Sequence, residues 1–209
     1  KTDKRYFKQN SKYEPIYSDC RKCLATEEEI KKLKKRIEKE YSNSDGEKTS
    51  EKYIQAKLIL DNDEYIDSEF AYRYYEKVKG SKDRKTVRFD LVKVVDNKII
   101  VEELKRINDN RLLNKENDEP EIITQMTEYS AFMKENATEL TEYYKELYKI
   151  KKSIGLRVPL GVNIDTLELS LTPKLIIKDL YEKETKGRKN RIAEIERVLK
   201  ANQINYEFV

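Results

Sequence analysis

Two short runs rich in β-branched residues, 86–95 and 98–104, stand on either side of Asp96-Asn97 and restrict the fold more than any other stretch of this sequence. Val87, Val92, Val94 and Val95 in the first run, with Ile99, Ile100 and Val101 in the second, favour extended backbone. Asp96-Asn97 reads as a hairpin turn, so the two runs are expected to pair antiparallel.

Helical signals surround this hairpin. Thr26 and Glu29 form a capping-box signature ahead of Ile30, Leu33 and Ile37, predicting an amphipathic helix to about residue 41. Ser42-Asn43-Ser44-Asp45-Gly46 ends it as a loop. A second helix is expected from about Asp63 to Lys79, with Ile66, Phe70, Tyr74 and Val78 on one face and Gly80 closing it. Beyond the hairpin, Pro120 stands where first helical turns accept proline, and Ile122, Met126, Tyr129 and Met133 mark a buried stripe. Further elements are a helix over 138–152 through Leu140, Tyr144 and Leu147, a strand over Lys174–Leu180, and a last helix over 188–202 through Ile192, Ile195 and Leu199. The expected organisation is an arm and amphipathic helix over 1–45 and one principal α/β domain over 46–209. Residues 1–25, without a sustained period, are expected to be extended or partly ordered, and the opening on Lys1 suggests a fragment or a trimmed chain.

The chemistry is narrowed by what is missing. The chain has no histidine, which removes the usual general base and a preferred zinc ligand. Serine and cysteine hydrolases that depend on histidine, zinc hydrolases and histidine nucleases are thereby disfavoured. None of the 5 glycines falls in a phosphate-cradling G-x-x-x-x-G-K-[ST] or G-x-G-x-x-G pattern. Cys20 and Cys23 make a lone C-x-x-C, half of a four-ligand zinc site, and read as an incidental pair. No run approaches the roughly 20 apolar residues of a membrane span, so a cytoplasmic protein is expected. The 44 basic residues against 40 acidic ones give a net charge of +4, which permits a nucleic-acid partner without demanding one. Carboxylate, lysine and metal remain.

Strand alternation puts Glu103 and Lys105 on one face of the second strand, and Glu102 and Leu104 on the other. A turn at Asp96-Asn97 brings Asp90 within about a register step of Glu103. Two neighbouring carboxylates repel unless a cation lies between them, and Mg²⁺ suits oxygen ligands that are completed by water and phosphate. A lysine beside them can orient or deprotonate a water and counter the charge growing on a phosphate. The bland alternative is a half-buried hairpin carrying ordinary surface charges, in a chain that is 40% charged.

The residues around the trio carry a resemblance. Phe89-Asp90-Leu91-Val92, followed after a turn by Ile99-Ile100-Val101-Glu102-Glu103-Leu104-Lys105, resembles the D…E-x-K hairpin of PD-(D/E)XK nucleases. Gln125-Met126-Thr127-Glu128-Tyr129 is similar to the Q-x-x-x-Y helix motif of RecB-like members, and Ile66 to Tyr72 to the helix that often adds an acidic residue. The likeness runs over about residues 50–200; the proline that names the family is replaced by Phe89.

The resemblance implies a restriction-endonuclease-like core, a mixed central sheet with a catalytic hairpin flanked by helices. It implies Asp90 and Glu103 as ligands of Mg²⁺ or Mn²⁺ with the Leu104 carbonyl as a third, and Lys105 as the catalytic lysine. Gln125 and Tyr129 would touch nucleic acid or support the site, and Glu69 would be an extra ligand or base, with Glu64 and Glu76 as rivals on its helix. Arg111 reads as a surface arginine in preference to a phosphate contact. The expected function is metal-dependent hydrolysis of nucleic acid, DNA before RNA, by a homodimer or part of a larger protein. The alternative is a nuclease-like module that binds nucleic acid without cutting it.

Overall fold

The computed structural model of the chain describes residues 26–32, 35, 50–75, 84–113 and 119–209. The chain falls into two compact units, Lys1–Tyr53 and Ile54–Val209. In the first, residues 27–32 are helical and Thr26 caps them: its Oγ1 accepts the Glu29 N–H at 3.2 Å. The expected arm over 1–25, the Cys20/Cys23 pair and the loop at 42–46 lie outside the described residues, as does most of the helix beyond residue 32.

The second unit is built on a mixed sheet. Its strands are β1 (Tyr65–Tyr75), β2 (Arg84–Val95), β3 (Lys98–Arg106), β4 (Glu168–Leu169), β5 (Lys174–Lys178) and β6 (Asn205–Phe208). The order across the sheet is β1-β2-β3-β5-β6, and the short β4 also pairs with β3. The first three strands are antiparallel, while β5 and β6 run parallel to β3. The helices are α1 (Glu51–Asp61), α2 (Glu121–Glu135), α3 (Ala137–Ser153) and α4 (Lys186–Ala201).

The hairpin forms where the sequence places it. Asp96 and Asn97 adopt φ of 50° and 59°, the left-handed pair that a two-residue turn matched to strand twist requires. Asn97 also ties the turn to the far end of the chain: its Oδ1 accepts the Asn163 N–H at 2.9 Å and its carbonyl accepts the Glu168 N–H at 3.1 Å.

The helix expected over 63–79 is not there; residues 65–75 are strand β1. Ile66, Phe70 and Tyr74 do share one face, but four is an even number, so a strand satisfies the same spacing as a helix. Tyr72 settles the period. It faces the same apolar cluster as its neighbours two residues away, which only an extended chain allows.

One face of β1, β2 and β3 is covered by α2 and α3. Phe89, Val101 and Ile99 from the strands meet Tyr129, Phe132 and Met133 of α2 and Leu140, Tyr144 and Tyr148 of α3. A second cluster joins Leu175 and Ile177 of β5 to Ile122 and Met126 of α2 and to Ile195 and Leu199 of α4. Ile54 and Leu58 of α1 meet Leu104 and Ile176, whose parity along β3 and β5 puts them on the opposite face. The centre of the sheet is therefore covered on both faces, and β5 reads as a continuous apolar run rather than an alternating one.

Candidate active site

The site lies where β2 and β3 part. Their pairing begins beside the turn at Val95↔Lys98 and ends at Leu91↔Glu102. Just beyond, the Leu104 N–H is taken by the Asp90 carboxylate at 3.0 Å instead of by a backbone carbonyl. Asp90 thus fills the gap between diverging strands with its side chain, which answers a backbone donor that would otherwise be buried without a partner.

Glu103 and Lys105 point to the face covered by α2 and are 3% and 1% exposed. Lys105 Nζ donates to Glu103 Oε1 and, at 3.3 Å, to the Leu104 carbonyl. From α2, Gln125 Nε2 donates to Glu103 Oε1 at 2.8 Å and to the Tyr129 hydroxyl at 2.9 Å. The Tyr129 hydroxyl lies 3.0 Å from Glu103 Oε2 and also contacts the Arg88 carbonyl. Gln125 and Tyr129, one turn apart on one helical face, therefore hold both oxygens of the carboxylate.

Burial pushes Glu103 up to about 7, and nearby Asp90 adds to the rise against the opposing pull of Lys105 and the Tyr129 hydroxyl. Burial and the Glu103 charge likewise raise the Tyr129 hydroxyl well above its ordinary value. The rise comes from burial, since the pull of Lys105 on the carboxyl exceeds the push of Asp90. Hard oxygen donors from Asp90 and Glu103, with the Leu104 carbonyl beside them, are a set that Mg²⁺ or Mn²⁺ accepts. Among the described residues no three Asp, Glu, Cys or His side chains converge, so water and substrate oxygens would complete such a shell.

Glu69 stands apart from the position that the resemblance implies. It lies on β1, not on a helix, and the ladder is in register on both sides of it, Ser68↔Leu91 and Phe70↔Phe89, so it stands opposite Asp90. Its φ of 57° is left-handed, and the pairing lapses at that point. Its Oε1 accepts Gln55 Nε2 at 2.9 Å, and the same amide lies 2.6 Å from the Asp90 carbonyl. The Glu69 carboxylate does not join Asp90 and Glu103 in one group.

Two residues of this region carry no signal in the sequence. Gln55 is a buried amide on α1 bracing the backbone of Asp90 from the opposite face, and its flanking residues form no motif that would single it out. Asp109 feels the positive charge of Lys105. Its partial burial would raise it, yet the bidentate Arg111 guanidinium, at 3.0 and 2.6 Å, holds it below the usual carboxylate range. Arg111 is therefore spent locally on Asp109.

Neither of two surface clefts, each of about 500 Å³, is lined by Asp90, Glu103 or Lys105. One runs along β1 past Glu69 to α2 and α3; the other lies between α2 and the β6 end of the sheet. The Glu103–Lys105 pair is closed off in this conformation.

The fold and site define a mixed α/β protein with a buried carboxylate–lysine centre at a strand divergence. No family model, curated protein or solved structure matches the chain. Among the described residues, no helix is long and apolar enough to cross a membrane.

Proposed function

We propose that this protein is a metal-dependent nuclease with a restriction-endonuclease-like core, cleaving phosphodiester bonds of DNA at Asp90, Glu103 and Lys105. The observation that carries the reading is the hydrogen-bonded set at the parting of β2 and β3, with the Asp90 carboxylate on the Leu104 amide, Lys105 on Glu103, and Glu103 braced by Gln125 and Tyr129. Six separate sequence positions form one hydrogen-bonded set when the Leu104 amide is counted, and the set contains the two carboxylates and the lysine that the chemistry requires. A cytoplasmic location goes with this reading.

Asp90 and Glu103 would hold Mg²⁺ or Mn²⁺, with the Leu104 carbonyl as a further donor. When bound, the cation supplies Lewis-acid polarisation of the phosphoryl oxygen and lowers the pKa of a water. The remaining work belongs to the chain. An ammonium has three N–H donors, and two of those on Lys105 are directed at Glu103 and Leu104, leaving one for a water or a phosphate oxygen. Its charge counters the charge that grows on the phosphate as water oxygen bonds to phosphorus and the ester P–O bond breaks. Gln125 and Tyr129 fix the Glu103 rotamer, so the carboxylate need not be ordered at the moment of reaction.

One observation favours the second reading, a nucleic-acid-binding module that does not cut: Glu103 and Lys105 are almost fully buried and already satisfy each other. Cleavage assays on labelled single- and double-stranded DNA and RNA, with Mg²⁺, Mn²⁺ or EDTA, separate the two. Metal-dependent cutting that disappears in Lys105→Ala supports the nuclease. Tight binding without cutting of any substrate by the folded protein supports the module.

A further inference from the structure

The β1–β2 ladder does not stop where β3 leaves it. Six further pairs, Phe70↔Phe89 to Tyr75↔Arg84, continue as a two-stranded ribbon directly beyond Asp90. Alternation gives the ribbon two unlike faces. Phe70, Tyr72, Tyr74, Val87 and Phe89 face the core, where Phe89 packs edge-on against Tyr129 and Tyr74 lies against Phe132. Ala71, Arg73, Thr86 and Arg88 all lie on the other face and are exposed.

Arg73 and Arg88 are exposed charged members of that outer face. Ala71 pairs with Arg88 and Arg73 with Thr86, so the two arginines are diagonal neighbours across the ribbon, about 7–8 Å apart at their origins. Among the described residues neither guanidinium has an ion-pair or hydrogen-bond partner, whereas Arg111, Arg157, Arg191 and Arg197 all do. Only two small side chains, Ala71 and Thr86, separate them, which leaves both guanidinium planes open to a flat partner.

Sequence composition adds to this. Residues 73–88 hold seven basic residues (Arg73, Lys77, Lys79, Lys82, Arg84, Lys85 and Arg88) against Glu76 and Asp83, a net +5, while the whole chain carries only +4. The remaining 193 residues are thus close to neutral. The positive charge that net composition conceals is concentrated in this stretch.

The structure assigns the outer face of the ribbon, through Arg73 and Arg88, as a docking surface for the phosphate backbone of DNA, beginning two residues from Asp90. Charge and spacing fit successive phosphates, to which guanidinium is a bidentate donor. Arg88 lies two residues before Asp90, about 7 Å along the strand. The Tyr129 hydroxyl holds the Arg88 carbonyl, tying the ribbon to the helix that braces Glu103. This inference rests on the nuclease reading for the location of the scissile bond, but not for the binding itself.

The test is fluorescence anisotropy with a labelled duplex of about 20 base pairs in EDTA across a salt series, for the whole chain and for Arg73→Ala/Arg88→Ala. The double variant is expected to bind about tenfold or more weakly, with a log–log salt slope shallower by about 2, one for each phosphate that is no longer neutralised. Arg73→Lys/Arg88→Lys should recover most of the binding, which separates charge from any loss of folding. Unchanged affinity and slope in the alanine variant would overturn the inference, as would no duplex binding by the unaltered chain. Absence of cutting by the unaltered chain would sink the nuclease reading and leave the ribbon result standing.

Discussion

Asp90 accepts the backbone amide of Leu104 at 3.0 Å, so the side chain proposed to hold a cation also ends the β2–β3 ladder. Architecture and chemistry are carried by different properties of that carboxylate, and substitution can separate them. Asp90→Asn keeps an acceptor oxygen and should hold stability within about 1 kcal/mol, while cleavage falls about a hundredfold or more. Asp90→Ala leaves the amide unpaired and should cost about 1–3 kcal/mol as well. Urea unfolding of both variants, beside the cleavage assay, checks the pair.

Glu103 gives stability a definite dependence on pH when no metal is present. Its folded value, pushed up to about 7 by burial, lies above the ordinary 4.5, so between those limits the folded chain keeps a proton that the unfolded chain has released. Stability in EDTA should therefore fall as pH rises from about 4.5 to about 7, by on the order of 3 kcal/mol at most. Glu103→Gln should lose that slope. Denaturation of both proteins at a series of pH values reads the difference, and parallel curves would contradict the burial argument.

On the opposite face of β3, Glu102 is fully buried between the Tyr65 hydroxyl at 2.9 Å and Lys93 Nζ at 2.8 Å. Removing the lysine beside it is costly because the carboxylate cannot move to water. Lys93→Met is expected to destabilise by about 3–5 kcal/mol, and Tyr65→Phe by about 1–3 kcal/mol. Since this cluster lies away from the proposed reaction centre, cleavage per folded molecule should change little in either variant. Thermal melts with active-site titration provide the measurement.

Glu69 occupies left-handed backbone at a cost of about 1–3 kcal/mol for a residue with a side chain. Glu69→Gly should be neutral or stabilising, and Glu69→Val strongly destabilising, because a β-branched residue tolerates this conformation least. If the carboxylate serves the cation, Glu69→Gly will also raise the Mg²⁺ concentration needed for cutting. Unchanged metal dependence would assign Glu69 to the turn in β1 alone.

The legible parts of this chain are those whose pattern admits one period. Residues 86–104 alternate around a turn pair, and the stripes of α2, α3 and α4 repeat at three and four without competing evenly spaced positions. β1 is ambiguous because Ile66, Phe70 and Tyr74 fit both periods, and its aromatic content, with Tyr65, Tyr72 and Tyr75, is the stronger signal. α1 is hard to see since it buries only Ile54 and Gln55, too few positions to mark a face. β4 and β6 are two and four residues long and exist through pairing with β3 and β5, partners that no local window contains. Within the site, Asp90, Glu103 and Lys105 can be placed from strand parity, whereas Gln55 depends on how a helix from elsewhere crosses the sheet.

The adjacent glutamates of β3 have a consequence for assembly of the sheet. A one-residue slip in a strand exchanges its two faces, and ordinarily such an error puts a charge in an apolar layer. Here both directions do so: a slip that carries Glu102 into the place of Glu103 carries Glu103 into the place of Leu104, among Ile54 and Ile176. The opposite slip carries Glu102 into the place of Val101, in the apolar layer under α2 and α3. The glutamate proposed for chemistry and its neighbour thus also keep β3 from folding one step out of place.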